Sequence, residues 1–155
     1  MKSTKIEFFS PGIPPVTTQQ ESKIAVIRGR PRVYKPSKVS SARSLLRFMV
    51  ARYAPKEPLD GPLAITVIWI FPVLKTTPKK DRGKYIPLDR KPDTGNLNKA
   101  LLDVFEEEGF FVNDSRIVSE TILKFRGPTP GIYVRLEPYN GVDKDIPEMI
   151  LGQKS

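Results

Sequence analysis

At 155 residues, with 39% apolar and 28% charged residues, the chain has enough material for one domain with a buried core and is too ordinary in composition for a disordered or fibrous protein. It carries a formal net charge of +9 and has neither cysteine nor histidine, which excludes disulfides, thiolate and imidazole metal sites and histidine general bases, and leaves carboxylate and lysine chemistry. No apolar run is long enough for a membrane span and the start, Met1-Lys2-Ser3-Thr4-Lys5, is not a secretory leader, so a cytoplasmic location is expected.

In chain order, residues 5–9 alternate weakly and predict an opening strand, ended by Pro11-Gly12. Residues 12–38 are rich in Pro, Gly and Arg and predict an extended basic loop with one short strand at 24–27. Ser40 or Ser41 can cap a helix running to Tyr53, with Ala42, Leu45, Leu46, Met49, Val50 and Tyr53 at helical spacing. Arg43, Arg47 and Lys56, with Arg52 close by, share its opposite face. Residues 63–71 are nearly all apolar and β-branched, which predicts a central strand covered on both faces.

A lysine-rich loop, 75–91, leads to a helix capped by Thr94 or Asn96, with Leu97, Ala100, Leu101, Val104 and Phe105 as its buried stripe and Gly109 as its stop. The acids Glu106-Glu107-Glu108 in its last turn oppose the helix dipole. Two more strands, 116–125 and 132–137, flank a Gly-Pro-Thr-Pro-Gly turn. The expected fold class is therefore α/β (α+β), a small mixed sheet of about four to five strands with two main helices. It forms one domain over residues 1–138, followed by a tail, 139–155, that is loose or holds a partner.

Charge is unevenly spread. Residues 22–56 hold ten bases and no acid, and 75–91 add more, whereas the chain from residue 100 onward is acidic. An acid-free basic window suits a polyanion, because each neutralised phosphate releases a counterion. The expected DNA contacts are Arg28, Arg30, Arg32, Lys35 and Lys38 at the approach to the site, Lys79, Lys80, Arg82 and Lys84 on a flexible loop, and Arg90 and Lys91 beside it. Tyr34 and Phe48 either pack against an opened base step or are structural, with Phe48 near the core as the favoured reading.

The chemistry concentrates in the run from Lys91 to Asp103 and in Val112-Asn113-Asp114-Ser115. Asp93 stands just before the helix with its carboxylate free of the helix backbone, Lys99 and Asp103 share a helix face, and Asp114 returns after the helix. Converging carboxylates repel one another, a divalent cation relieves that repulsion, and a neighbouring lysine can stabilise charge on a phosphodiester. Each residue also has an ordinary structural reading: a cap, a surface ion pair and a turn.

The residues Lys91–Lys99, Leu102-Asp103 and Gly109-Phe110-Phe111-Val112-Asn113-Asp114-Ser115-Arg116-Ile117-Val118 resemble the RusA family of endodeoxyribonucleases, phage- and prophage-associated enzymes that resolve Holliday junctions. The resemblance implies Mg²⁺ (Mn²⁺ possible) as cofactor, branched four-way DNA as partner, a homodimer making paired nicks, and a bacterial or phage-infected cytoplasm. It implies Asp93 and Asp114 as metal-binding aspartates, Lys99 as the lysine needed for cleavage, Asn96 as loop support and Asp103 as the nearby helix aspartate.

Two positions depart from the family pattern. Gly95 stands where the middle catalytic aspartate belongs, and Asn113 where the first of an Asp-Asp pair belongs. Asp103 is the nearest candidate for a third ligand. Glu120 shares a strand face with Asp114 but lies about 20 Å away on a straight strand, at roughly 3.3 Å per residue. Gly95 also fits a tight turn with positive φ ahead of an N-cap. Two readings stay open, a metal-dependent junction-resolving endonuclease and a catalytically impaired relative that binds branched DNA, with an RNA-binding basic protein as a third, weaker one.

Overall fold

The computed structural model describes residues 5–16, 23–27, 30–34 and 37–153, those from 23 to 40 by backbone alone. A five-stranded mixed sheet carries the domain, in the order β1-β7-β4-β6-β5. Its strands are β1 (Ile6–Pro11), β4 (Leu63–Pro72), β5 (Ile86–Pro87), β6 (Ile117–Gly127) and β7 (Gly131–Pro138), and β2 (Lys23–Ile27) with β3 (Arg30–Tyr34) forms a separate antiparallel hairpin. The basic segment thus holds two strands where the sequence predicted one. The α+β expectation is met, with two main helices, α1 (Ser37–Val50) and α2 (Thr94–Glu107).

Only β4 and β6 run parallel; every other pairing in the sheet is antiparallel. A parallel pair needs a long crossover, and the chain from β4 to β6 supplies it with the lysine-rich loop, β5 and α2. This crossover lays α2 against the sheet. β4 alternates strictly along its length, with Leu63, Ile65, Val67, Trp69 and Phe71 buried and the residues between them half-exposed. The central strand is therefore covered fully on one face only, not on both, because the two main helices share that face.

The core lies between this face and the helices. Leu46, Met49 and Val50 of α1 and Leu97, Leu101, Val104 and Phe105 of α2 meet Ile65, Val67, Trp69, Val134 and Leu136. Each such side chain contributes about 1.5–3 kcal/mol on full burial. Leu45 and Phe48 of α1 point outward instead, and Phe48 is 81% exposed, which overturns its expected place near the core. α1 begins at Ser37, earlier than predicted, and continues into a 3₁₀ turn, Ala51–Tyr53.

The end of α2 shows how local sequence sets the path to the site. Gly109 adopts φ 81° and donates to Glu106 O, while Phe110 N donates to Phe105 O at 2.9 Å, the paired bonds of a Schellman stop. Phe105 and Phe110 stack at 4.2 Å between ring centroids, supplying the apolar contact that goes with this cap. Leu59 then bonds Phe110 O and Val112 N, pinning the strand-like exit. The acids at the helix end are answered across the domain: Arg43 and Arg47 of α1 pair with Glu107, and Arg47 Nε pairs with Glu108 at 2.7 Å. These two arginines join helices, so the face they share is not a plain polyanion surface.

After β7 the described part of the tail holds two single-turn helices, α3 (Val142–Asp145) and α4 (Glu148–Leu151). Tyr139 Oη donates to Asp145 across the first of these, at 2.6 Å. Among the described residues no helix is long and apolar enough to cross a membrane.

Candidate active site

Asp93 is the N-cap of α2. Its extended backbone, φ −71° and ψ 134°, lets Oδ1 accept from Gly95 N at 2.9 Å, while its carbonyl accepts the first helical bond from Leu97 N. The cap is therefore Asp93, not Thr94 or Asn96, and one carboxylate oxygen is engaged by the helix backbone rather than free of it. The aspartate satisfies an orphan amide at the positive end of the helix.

Gly95 lies inside α2, and the positive-φ glycines among the described residues are Gly12, Gly61 and Gly109. The turn expected at Gly95 is absent. A Cβ built there would meet nothing closer than Asp93 Oδ1, at 3.5 Å, which is ordinary contact. Neither backbone conformation nor crowding demands glycine at this position.

One turn on, α2 presents Asn98, Lys99, Leu102 and Asp103 to an open cleft of about 230 Å³, with Gly95 at one end. Asp114 and Glu120 line the same cleft from the other side. The structure thus brings together Gly95, Lys99, Asp103 and Asp114 of the expected set. Asp93 adjoins them through Gly95, and Asn96 sits half-buried in the first turn, outside the cleft lining.

Asp114 opens a 3₁₀ turn, Asp114–Arg116, capped by Asn113, whose Oδ1 accepts from Ser115 N at 2.8 Å. Asn113 thus has the turn role open to it from sequence. The Asp114 amide donates to Glu106 Oε1 at 2.8 Å, tying the turn to the last turn of α2. Beyond it, Arg116 Nε bonds Asp60 Oδ1 at 2.6 Å, and this hydrogen bond, then the one from Gly61 N, holds the Asp60 carboxyl below its ordinary range.

Glu120 is the main correction. The ladder pairs Leu63 with Ile117 but Ala64 with Ser119, so Val118 is an extra residue on β6. This bulge switches the side-chain alternation and sets Glu120 opposite Ile65, whose side chain is on the helix-covered face. Asp114 lies in a turn and not on the strand, so the straight-strand distance from it does not apply. Asn98 Nδ2 donates to Glu120 Oε2 at 2.6 Å across the space between α2 and β6.

Lys124 was not singled out by sequence. It faces the same side as Glu120, opposite Trp69, and its Nζ donates to Arg90 O and to Pro92 O, the latter at 2.7 Å. It clamps the segment that delivers Asp93. Only its β-strand spacing from Glu120 could have suggested this, and the recipient carbonyls carry no sequence signal.

Of the expected DNA contacts, Lys79, Lys80, Lys84, Arg90 and Lys91 are exposed. Their loop carries internal hydrogen bonds. It contains a 3₁₀ turn, Lys79–Asp81, and Arg82 donates to Thr77 O at 2.9 Å and Lys75 O at 3.1 Å, with Lys84 paired to Asp81 at 3.2 Å. Arg82 is a loop brace first. Arg28 and Lys35 lie outside the described residues; Arg30, Arg32 and Tyr34 fall on β3 and Lys38 on α1, where the backbone alone is described.

The cleft offers hard oxygen donors, the type that Mg²⁺ and Mn²⁺ take. Among the described residues, no three acidic side chains draw together into a ready cage for a metal ion. The donor set therefore fits a cation that keeps most of its water and is held by one or two carboxylates, the usual habit of Mg²⁺.

Compared with known proteins, residues 12–137 match the family model described as Endodeoxyribonuclease RusA, which covers most of the chain. No curated protein matches it.

Proposed function

The chain belongs to the RusA endodeoxyribonuclease family, which implies Holliday-junction resolving activity on branched DNA, and on that premise we propose that it cuts four-way junctions with the help of Mg²⁺ or Mn²⁺. The observation that carries this reading is the single cleft lined by Lys99, Asp103 and Asp114, next to the capping Asp93. A divalent cation, when bound there, would supply Lewis-acid charge and a water of lowered pKa.

The chain's own residues do the rest. Asp114 and the second oxygen of Asp93 are the carboxylates placed to hold the ion. The Lys99 ammonium lies in the same cleft and offsets charge that builds on the scissile phosphate, where a preorganised donor is worth more than one in bulk water. The exposed lysines 79, 80, 84 and 91, with Arg90, give phosphate contacts that position the junction without reading its sequence. Paired nicks need two such sites, so the working unit is a homodimer.

A second reading, a junction-binding relative with weak cleavage, is favoured by one observation. Gly95 has room for a side chain, so nothing in the fold forces the loss of a carboxylate there. A synthetic four-way junction separates the two. Cation-dependent symmetric nicking that Asp114→Asn abolishes is expected; tight binding with no nicking at any Mg²⁺ or Mn²⁺ concentration refutes the enzyme reading. A large rate increase in Gly95→Asp would identify the native site as handicapped, and an unchanged rate would mean that another group already fills the role.

A further inference from the structure

The amide of Asn98 is out of place for a helix stripe otherwise made of Leu97, Ala100, Leu101, Val104 and Phe105. It is 2% exposed, and its Oδ1 is buried with no hydrogen-bond partner. An orphaned buried carbonyl costs about 1–3 kcal/mol, so an apolar side chain would stabilise the helix contact better. What Asn98 does have is its Nδ2 bond to Glu120 Oε2 at 2.6 Å. It is a buried support whose donor fixes the carboxylate of an otherwise exposed glutamate and whose unpaired oxygen lies beside a cleft lined by acids.

Glu120 is there because of the bulge at Val118, which turns it from the open face of the sheet to the helix-covered face. A strand residue in that row is ordinarily apolar, as Ile117 and Ile122 are. A carboxylate in their place, held by a buried amide, lines the same cleft as Asp103 and Asp114. A cation bound in that cleft would meet their negative charge. Gly95, on the opposite wall of this cleft, supplies no charge.

Resting on the functional reading above, we propose that Glu120, positioned by Asn98, is a ligand of the divalent cation in this cleft and stands in for the carboxylate that position 95 lacks. The negative charge needed to hold the ion has moved from the helix start to the neighbouring strand. It joins Asp93 and Asp114 around the ion, with water filling the remaining positions, as the coordination of Mg²⁺ and Mn²⁺ allows.

The test is Mn²⁺ binding to the full chain, read by electron paramagnetic resonance of free Mn²⁺ and by calorimetry, with no DNA present. Glu120→Gln keeps the shape and the Asn98 contact and should weaken Mn²⁺ binding by about tenfold or more, the scale of ligand-shell losses. Adding Gly95→Asp to Glu120→Gln should restore most of the affinity, because the Cβ fits and a carboxylate returns to the cleft. Wild-type affinity in Glu120→Gln overturns the proposal, as does failure of Gly95→Asp to restore binding. If Glu120→Gln binds normally while Asp114→Asn does not, this inference falls and the endonuclease reading stands. If the wild type takes up no Mn²⁺ and nicks no junction, both fall.

Discussion

Lys124→Met isolates the clamp that delivers Asp93 to the cleft. Methionine keeps an unbranched stem of similar length against the sheet but removes the ammonium that bonds Arg90 O and Pro92 O. A hydrogen bond from a charged donor is worth about 1.5–3 kcal/mol. The Arg90 bond is exposed, so water replaces much of it, and about 1 kcal/mol is a fair value. The Pro92 bond is partly buried and keeps the lower end of the full range. The sum is a loss of about 2–3 kcal/mol, or roughly 4–12 °C in Tm for a chain of this size.

Urea unfolding at constant m, with thermal unfolding alongside, measures the stability change. Because the clamped carbonyl of Pro92 immediately precedes Asp93, Mn²⁺ affinity and junction nicking should fall as well. A stability change under about 0.5 kcal/mol would refute the estimate of the two bonds. A full stability loss with unaltered Mn²⁺ affinity would refute the claim that the clamp positions Asp93.

Two further outcomes follow from the ion pairs. Glu107→Gln removes the shared partner of Arg43 and Arg47; since these groups are partly exposed, the expected loss is about 0.5–1 kcal/mol, and it should shrink in 1 M NaCl. An equal loss at both salt concentrations would refute an electrostatic origin. Asp60 has its pKa lowered from the ordinary 3.8, first by the Arg116 hydrogen bond, so its contribution to stability is present above that value and is lost as pH falls through the lower folded value. Wild type should therefore be more stable than Asp60→Asn at pH 7, and the gap should close below about pH 4. A gap that stays constant in melting curves from pH 7 to pH 3 contradicts the assignment.

The place of β4 as the central apolar strand, the apolar stripe of α2 and the stop at Gly109 were legible in the sequence because each depends on residues close together in the chain; that β4 is covered on one face only was not. The spacing of Asp93, Lys99, Asp103 and Asp114 was legible for the same reason, since one helix and one tight exit carry all four. Local pattern went wrong where two local roles compete. Asp93 serves as the cap that Thr94 or Asn96 was expected to be, and Gly95 is helical instead of forming a turn. Phe48 matched the helical period roughly but falls outside the arc that the sheet covers.

By itself the sequence determined an α+β domain, its basic character, the motif of the RusA family and the main acid–lysine cluster, because periodicity, composition and short-range spacing survive without knowledge of the fold. Only the tertiary structure decided that Glu120 enters the cleft, that Asn98 holds it, that Lys124 clamps the approach to Asp93, and that Arg43 and Arg47 answer the acids ending α2. Two physical reasons account for these. A single extra residue at Val118 reverses which side of β6 faces the helices, and a partner 22 to 64 residues away supplies the bond. Neither leaves a period in the sequence.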